Sequence, residues 1–225
     1  MKTNIKFDLP QSNLRIGVLE ASNVNVKAST QEYRDLIEKE VKPFTSSDYI
    51  YPDKMQKGVR SLLKTWGFHP SGRSRPASEF LFKDLQNRGS FNFINNIVDI
   101  NNHISLMTNL PISVFDTAKS GNDLCLRVGG DEEEYVFNKE GQILSLKKLL
   151  VVAKQSGEPI GSPVKDCQAT KVFEPTKDIV FVIYTSSNLT SKEEMNKILE
   201  DIAKYLKQEA NATDIATAVL DATCA

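Results

Sequence analysis

A run of short polar side chains between Asn95 and Leu106 constrains the fold of this chain more than any other segment. Around that run, apolar residues keep a helical period and predict one buried stripe, formed by Ile94, Ile97, Ile104 and Met107. Asn95, Asp99 and Asn102 recur at i, i+4 and i+7 and therefore share another face of the same helix. Each lowers helix stability by about half a kcal/mol relative to Ala, because its side chain competes for backbone hydrogen bonds. The pattern leaves two interpretations open: caps, turns and a solvated face, or residues retained for a ligand.

Further short motifs accompany this helix in a definite order along the chain. They are residues 75–81 (RPASEFL) upstream and, downstream, 110–116 (LPISVFD), 124–128 (LCLRV), 131–134 (DEEE) and 166–170 (DCQAT). Together with the helix, this order resembles the B3/B4 domain, which is the editing module of the phenylalanyl-tRNA synthetase β subunit and also occurs as free-standing small proteins. The resemblance covers about residues 60–185, which is most of the chain.

The hydrophobic pattern predicts an α+β fold in one domain. Helical patterns lie on both sides of a strand-rich middle that runs from Ile112 to Tyr184. Within it, residues 179–184 are apolar enough for a buried central strand. We therefore expect a single B3/B4-like domain over 1–225, with a central mixed or antiparallel sheet flanked by helices. Its core is expected over about 14–206, with 211–225 as a C-terminal extension that is either helical or frayed.

Three serines mark predicted helix starts. Ser29, Ser78 and Ser191 each precede a helical pattern, and the first and last have Glu three residues on, which is a capping box. The short helix after Ser78 is expected to turn three apolar residues inward, namely Phe80, Leu81 and Leu85.

The family resemblance implies hydrolysis of misacylated tRNA. In the family's editing domain, the misacylated 3′ end enters a pocket beside this helix and a Pro-x-His-x-Phe-Asp segment, where the ester to the wrong amino acid is hydrolysed. By position, the implied catalytic residues are Asn101, Asn102 and Ser113. The implied substrate-binding residues are Asn95, Asp99, His103, Asp116, Arg127 and Glu134. Asn101 stands at the family's threonine and Ser113 at its histidine, so the rejected amino acid need not be tyrosine.

The chemistry of an aminoacyl ester suits these residue types. The ester is already labile, so hydrolysis needs a positioned water and donors for the developing oxyanion rather than a strong nucleophile. Amide and hydroxyl side chains such as Asn101, Asn102 and Ser113 can supply them. Cys125 lies in an apolar strand and Cys167 has no histidine nearby in sequence, so neither predicts a catalytic thiol. The chain also has no Walker or Rossmann glycine loop.

Two further ionisable positions allow both a structural and a functional interpretation. Arg127 lies at an apolar strand and needs a carboxylate partner, for which Asp99 or Asp116 is expected; the pair would either shape the domain or contact substrate. His103 either acts as a general base or simply forms hydrogen bonds. The acidic residue that recognises the amino acid in the family aligns with any of four positions, namely Glu132, Glu133, Glu134 or Glu140.

The charge distribution bears on nucleic-acid binding. The net charge is −1, which argues against a dedicated nucleic-acid binder. Between Asp53 and Arg88, however, eight bases face three acids. This excess would serve a phosphate backbone, with Arg73, Arg75 and Lys64 as the expected tRNA contacts, or would be solvated helix faces.

Composition bounds the compartment and the cofactors. No apolar run approaches the roughly 20 residues that cross a bilayer, and the N-terminus has no apolar segment behind its charge, so neither a membrane span nor a signal peptide is expected. Three widely spaced cysteines indicate a reduced, cytoplasmic protein. With two histidines and no metal-type spacing, neither a metal nor another cofactor is expected, and DNA is not an expected partner.

The sequence therefore predicts a trans-editing aminoacyl-tRNA deacylase that binds the tRNA acceptor end. It is not an aminoacyl-tRNA ligase by itself, because 225 residues cannot hold the synthetase's aminoacylation core. The alternative is a non-catalytic module of the same fold that binds RNA, tRNA or an amino acid. A metabolic enzyme that reuses the pocket for an amino-acid-like ligand is a third possibility, because a fold does not fix a function.

Overall fold

The order of helices and strands matches the predicted α+β class. The structure is a computed structural model that describes residues 1–10 and 12–222, apart from the side chain of Arg73. The helices are Gln31–Val41 (α1), Asp53–Lys64 (α2), Ala77–Arg88 (α3), Asn96–Thr108 (α4), Thr117–Ser120 (α5) and Lys192–Ala210 (α6). The strands are Asn4–Asp8 (β1), Leu14–Ser22 (β2), Ile112–Asp116 (β3), Asp123–Val128 (β4), Glu134–Val136 (β5), Ile143–Ser145 (β6), Leu150–Lys154 (β7), Pro159–Gly161 (β8), Ile179–Ser186 (β9) and Thr213–Asp221 (β10).

Two four-stranded sheets pack face to face at the centre of the molecule. The first sheet is antiparallel in the order β10-β2-β9-β3, so β3 is one of its edge strands. The second sheet has the order β1-β4-β7-β8 and is mixed, because β1 runs parallel to β4. Their facing side chains form one apolar cluster that includes Ile16, Leu126, Val152, Val182 and Tyr184. Residues 179–184 are buried throughout, which confirms the predicted central strand.

Other elements pack on the outer face of each sheet. Helices α1, α3, α4 and α6 pack on the outer face of the first sheet, where Leu19, Phe181 and Ile183 meet the helical stripes. The β5–β6 hairpin packs on the outer face of the second sheet through Tyr135 and Leu144. Burial of apolar side chains on both sheet faces thus produces a layered single domain.

The C-terminal segment is a strand, so the expectation of a helical or frayed extension is wrong. Thr213–Asp221 pairs antiparallel with β2 and forms the edge of the first sheet opposite β3. Arg15, on β2, is 8% exposed, and its Nε lies 2.6 Å from Asp221 Oδ1. This segment is therefore a strand because it pairs with β2, although its alanine content favours a helix. Residues 223–225, including Cys224, lie outside the described part of the chain.

Two of the three predicted caps differ from expectation. Thr30 rather than Ser29 caps α1, because the Ser29 hydroxyl donates to Asp99. Ser78 lies inside α3, where its hydroxyl accepts a hydrogen bond from Tyr51 at 3.2 Å. The capping box that begins at Ser191 is confirmed.

The predicted stripes of α3 and α4 are confirmed in part, because Ile97, Ile104 and Leu85 are buried as expected. Phe80 is 51% exposed, and Ile94 and Met107 are 60% and 40% exposed, although all three were expected to face inward. One helical position corresponds to about 100° of rotation, so neighbouring residues carry the packing instead. The buried apolar residues of these helices are Phe82, Leu85, Ile97, Ile100, Ile104 and Leu106.

The side-chain amide of Asn96 joins three separate parts of the helical layer. Its Nδ2 donates to the carbonyls of Asn25 and Glu209, each at 2.9 Å, and the residue has no exposed surface. Its Oδ1 accepts from the backbone N–H groups of Lys27 at 3.1 Å and Ile97 at 3.0 Å. These four bonds use the full capacity of the amide and tie the start of α4 to the segment after β2 and to the end of α6.

Replacing Asn96 with Ala is expected to lower the free energy of unfolding by about 3 kcal/mol, because each backbone group left buried without a partner costs about 1–3 kcal/mol. Urea denaturation measures the change. Asn92→Ala is the matched control, since Asn92 is exposed and its loss should cost less than about 0.5 kcal/mol. Equal losses in the two variants would contradict a joining role for Asn96.

Candidate active site at the free edge of strand β3

Two predicted ligand residues of α4 are used to hold the start of the helix. Asn95 is the N-cap, and its side chain accepts from the Val98 N–H at 2.9 Å. Asp99 has no exposed surface and accepts from the Ser29 hydroxyl at 2.6 Å and from the Ile94 N–H at 2.7 Å. Burial raises the pKa of the Asp99 carboxyl, while these bonds oppose the rise. For both residues the contacts correspond to the structural interpretation.

His103 is enclosed in the helical layer. It is 1% exposed, its Nε2 lies 2.7 Å from Glu40 Oε2, and its Nδ1 lies 3.0 Å from the Tyr33 hydroxyl. Burial lowers the pKa of His103, although the Glu40 carboxylate acts in the opposite direction. Both ring nitrogens are occupied, so these contacts correspond to the hydrogen-bonding interpretation rather than to a general base.

Asn101 and Asn102 are hydrogen-bonded to each other on α4. Asn101 is 8% exposed, and its Nδ2 donates to Asn102 Oδ1 at 3.2 Å. Its own Oδ1 is buried and has no hydrogen-bond partner among the described residues. An acceptor left in this state costs about 1–3 kcal/mol, which a ligand N–H or O–H would recover.

Ser113 lies on β3, next to a buried carboxyl. Its hydroxyl donates to Asp166 Oδ1 at 2.6 Å. The Tyr184 hydroxyl lies 2.9 Å from Ser113 Oγ and donates to it when the serine proton points to Asp166. Ser113 is 1% exposed and Tyr184 has no exposed surface, so these two hydroxyls are enclosed between the two sheets, whereas Asp166 is partly exposed.

Burial raises the pKa of Asp166 to about 7. Hydrogen bonds from Ser113 and from the Ser162 and Val114 backbone, together with the positive charge of Lys171, oppose the rise without cancelling it. A carboxyl with this pKa exchanges its proton near neutral pH, which suits a general base. Tyr184 is buried beside it and its pKa is raised well above the ordinary value, so it stays a neutral donor.

The approach of Asp166 to β3 depends on Gly161. A Cβ at this position would lie 2.4 Å from Phe115 Cζ and 2.5 Å from Asp166 Oδ1. Real Cβ atoms do not make such contacts, so the end of β8 can pass this close only without a side chain.

The three predicted catalytic residues lie on packed elements but have separate partners. Ile112 and Val114 face the helical layer, so Ser113 between them leaves β3 on the opposite face. No described hydrogen bond joins Ser113 to Asn101 or Asn102, although α4 packs against β3. β3 is an edge strand of its sheet, and Asp166 borders that edge through a hydrogen bond from the Val114 backbone.

Arg127 is partly buried and bound to a carboxylate, as predicted, but the expected partner is wrong. Its Nη2 lies 2.5 Å from Glu133 Oε1 and its Nη1 2.8 Å from Glu133 Oε2. Glu133 raises the pKa of Arg127, and the guanidinium lowers the pKa of Glu133. Arg127 belongs to the second sheet, whereas Asp99 lies in the helical layer and Asp116 ends β3.

The remaining predicted acids do not line this edge by any described contact. Asp116 caps α5 through the Ala118 N–H and accepts from the Thr176 hydroxyl at 2.7 Å. Glu134 begins β5 and is exposed. Among the described residues, no group of three or more His, Cys, Asp or Glu side chains could hold a metal ion.

Local acids neutralise part of the basic stretch. Lys57 pairs with Asp53, Arg88 with Asp84, and Arg60 forms a two-bond pair with Glu79. Lys64 is exposed, and Arg75 is partly exposed with its Nε donating to the Gly72 carbonyl at 2.7 Å. The side chain of Arg73 lies outside the described part of the structure.

Asp166 is the residue that sequence reasoning missed. It begins the DCQAT motif, but no role was predicted for it. Its proximity to Ser113 depends on the packing of the segment after β8 against β3. Ser113 and Asp166 are 53 positions apart in the sequence. Gly161 and Pro163, which flank a serine before the motif, are the available local signals of a close backbone approach.

Two cavities of the described structure lie away from Ser113 and Asp166. One of about 550 Å³ separates α2 from the residues after β9 and is lined by Lys54, Ser61, Thr65, Ser186 and Asn188 among others. None of the predicted catalytic residues lines it.

Comparisons with known proteins identify the class. The fold resembles an N-terminal fragment of the phenylalanyl-tRNA synthetase β subunit from Pyrococcus horikoshii, with a TM-score of 0.51 and 9% sequence identity. The likeness covers 95% of this chain and 51% of that chain, so this chain spans about half the length of the fragment. The model of the B3/4 domain matches residues 71–224, and the chain therefore belongs to the B3/4 domain family. Comparison with curated proteins finds no match.

The raised pKa of Asp166 predicts how stability depends on pH. The folded chain holds the proton up to about pH 7, whereas the ordinary pKa is 3.8. The associated stabilisation is complete below the ordinary value and is lost as pH rises through about 7. Relative to Asp166→Asn, which does not titrate, the wild type should lose free energy of unfolding between about pH 4 and pH 7. Urea titrations across this range test it, and parallel pH profiles would contradict it.

Proposed function

We propose that this protein is a tRNA-binding hydrolase that removes a wrongly attached amino acid from tRNA. The Ser113–Asp166 hydrogen bond is the observation that carries the proposal, because it joins a hydroxyl to a carboxyl whose pKa is about 7. Membership of the B3/4 domain family supports the reaction class, and the likeness to a phenylalanyl-tRNA synthetase fragment supports tRNA as the carrier.

The proposed reaction is addition of water to the ester carbonyl at the free edge of β3. Asp166, once ionised, takes the Ser113 proton as Ser113 takes one from the attacking water. The water oxygen bonds to the carbonyl carbon, the bond from that carbon to the ribose oxygen breaks, and the ribose oxygen leaves with the proton that Asp166 returns through Ser113. No covalent enzyme intermediate is needed, because the ester is already labile.

The two asparagines of α4 have complementary roles in the same proposal. Asn101 Oδ1 is a buried acceptor without a partner among the described residues, so it suits the α-ammonium of the amino acid. The Nδ2 of Asn102, which is partly exposed, suits the developing oxyanion. Tyr184, which lies beside Ser113, orients the serine hydroxyl.

Asp166→Asn is expected to slow deacylation by about 10²–10⁴-fold, which is the usual contribution of a general base. Ser113→Ala should lose less, because water can reach the carboxylate directly. The wild-type rate should rise with pH and level off above about 7, where Asp166 is ionised. Deacylation of a panel of misacylated tRNAs measures the rates.

Asp131→Asn is the matched control, since this carboxylate is exposed and lies outside the proposed site. Equal rates for Asp166→Asn and Asp131→Asn would exclude Asp166 as the base. Binding of charged tRNA without turnover by the wild type would instead favour a non-catalytic binding module. That alternative is supported by Asn101 and Ser113, which replace the family's threonine and histidine.

The loop at Arg73 and Arg75 is proposed to contact tRNA phosphates. Replacing both with Ala should weaken binding to any tRNA and flatten its salt dependence by about 0.7–0.9 in slope for each lost contact. A salt titration of tRNA binding measures the slope. Arg88→Ala is the control, because Arg88 is already paired with Asp84. An unchanged slope in the double variant would leave the loop as a solvated surface.

A further inference from the structure

Exposed aromatic rings lie on the surface beside the proposed site. Phe80, on α3, is 51% exposed and Phe173 is 47% exposed, whereas most phenylalanines of the chain are buried or partly buried. The packing of α3 is carried by Phe82 and Leu85, so Phe80 contributes little to the core. Large apolar surface left in water is a common mark of a binding site.

Lysine ammonium groups lie over these rings. Lys165 Nζ is 3.8 Å from the centroid of Phe137 and 5.9 Å from that of Phe80. Lys119 Nζ is 5.0 Å from the centroid of Phe173. Each distance lies within the range of a cation–π interaction.

Hydrogen bonds connect the two groups of rings into one surface. Lys171 Nζ donates to the Phe137 carbonyl at 2.5 Å, and Lys119 Nζ donates to the Lys171 carbonyl at 2.8 Å. These contacts link the three rings and the three lysines, partly through backbone carbonyls. We call this set the aromatic–lysine platform: Phe80, Lys165, Phe137, Lys171, Lys119 and Phe173.

The platform borders the Ser113–Asp166 pair. Lys165 directly precedes Asp166, and the positive charge of Lys171 acts on the Asp166 carboxyl. The Ala77 N–H donates to the Pro163 carbonyl at 2.9 Å, which fixes the start of α3 and the loop of Arg75 next to the same segment. A chain held on the platform would therefore present its end to the proposed reaction site.

We propose that the aromatic–lysine platform stacks the unpaired nucleotides at the 3′ end of an RNA. This inference rests on the proposed function, because it names the surface that delivers the ester to the site. Bases stack on aromatic rings without regard to sequence, and ammonium groups between the rings meet the intervening phosphates. Lys119 also pairs with Asp116, whose Oδ2 lies 3.0 Å from the ammonium group. A purely apolar protein partner would still desolvate the ammonium groups of Lys165 and Lys171, so the charge favours a polyanion.

The test compares an RNA stem-loop that has a single-stranded 3′ extension with the same stem-loop ending blunt. Phe80→Leu/Phe173→Leu keeps apolar volume but removes both stacking faces, whereas Phe80→Tyr/Phe173→Tyr keeps them. Both rings are about half exposed, so neither double variant should unfold the chain. The leucine variant is expected to bind the extended RNA about tenfold more weakly for each ring, and the tyrosine variant to bind it like the wild type.

The outcomes separate this inference from the proposed hydrolysis. Binding that requires the extension and is lost in the leucine variant supports the platform, even if no variant hydrolyses an ester. Hydrolysis of charged tRNA that is equal in the leucine variant and the wild type, with no preference for the extended RNA, overturns the platform and leaves the hydrolysis standing. A changed sedimentation coefficient in the leucine variant with unchanged RNA binding also overturns it, because the rings would then face another protein chain.

Discussion

The four hydrogen bonds of the Asn96 amide position α4, and the position of α4 decides where the candidate site lies. The amide is fully buried and joins the start of the helix to the chain after β2 and to the end of α6. The helix then packs along β3 with Ile97 and Ile100 in the core and Asn101 turned to a place where its acceptor has no described partner. One polar residue thus fixes the helix, and another on the same helix keeps a buried acceptor without a described partner.

Two features of the candidate site lower the free energy of unfolding. Burial of Asp166 disfavours its charged form, and Asn101 keeps an acceptor without a described partner. Both features cost stability, which the apolar clusters around them offset. The same burial that costs stability gives Asp166 a pKa near neutrality, where it can both release and accept a proton. Gly161 permits this arrangement by leaving room for the carboxyl.

Sequence periodicity predicted the fold class but not the contacts between its elements. The central strand at 179–184 and the capping box at Ser191 are local patterns, and both are confirmed. The C-terminal strand could not be predicted, because its pairing with β2 joins segments nearly two hundred residues apart. Its composition also favours neither a helix nor a strand. The partner of Arg127 was missed although Glu133 is only six residues away, because a turn rather than a periodic element brings the two together. Asp166 was missed because its role exists only beside Ser113.

The most direct test of the proposed site is a crystal structure with a stable amide analogue of an aminoacyl-adenosine, in which nitrogen replaces the ester oxygen. We expect the analogue to lie at the free edge of β3. Its carbonyl carbon should lie near Ser113 and Asp166, and its α-ammonium should donate to Asn101 Oδ1. Density for the analogue in the cavity beside α2, lined by Lys54 and Ser186, would contradict this account. The position of the carbonyl group decides between the two places.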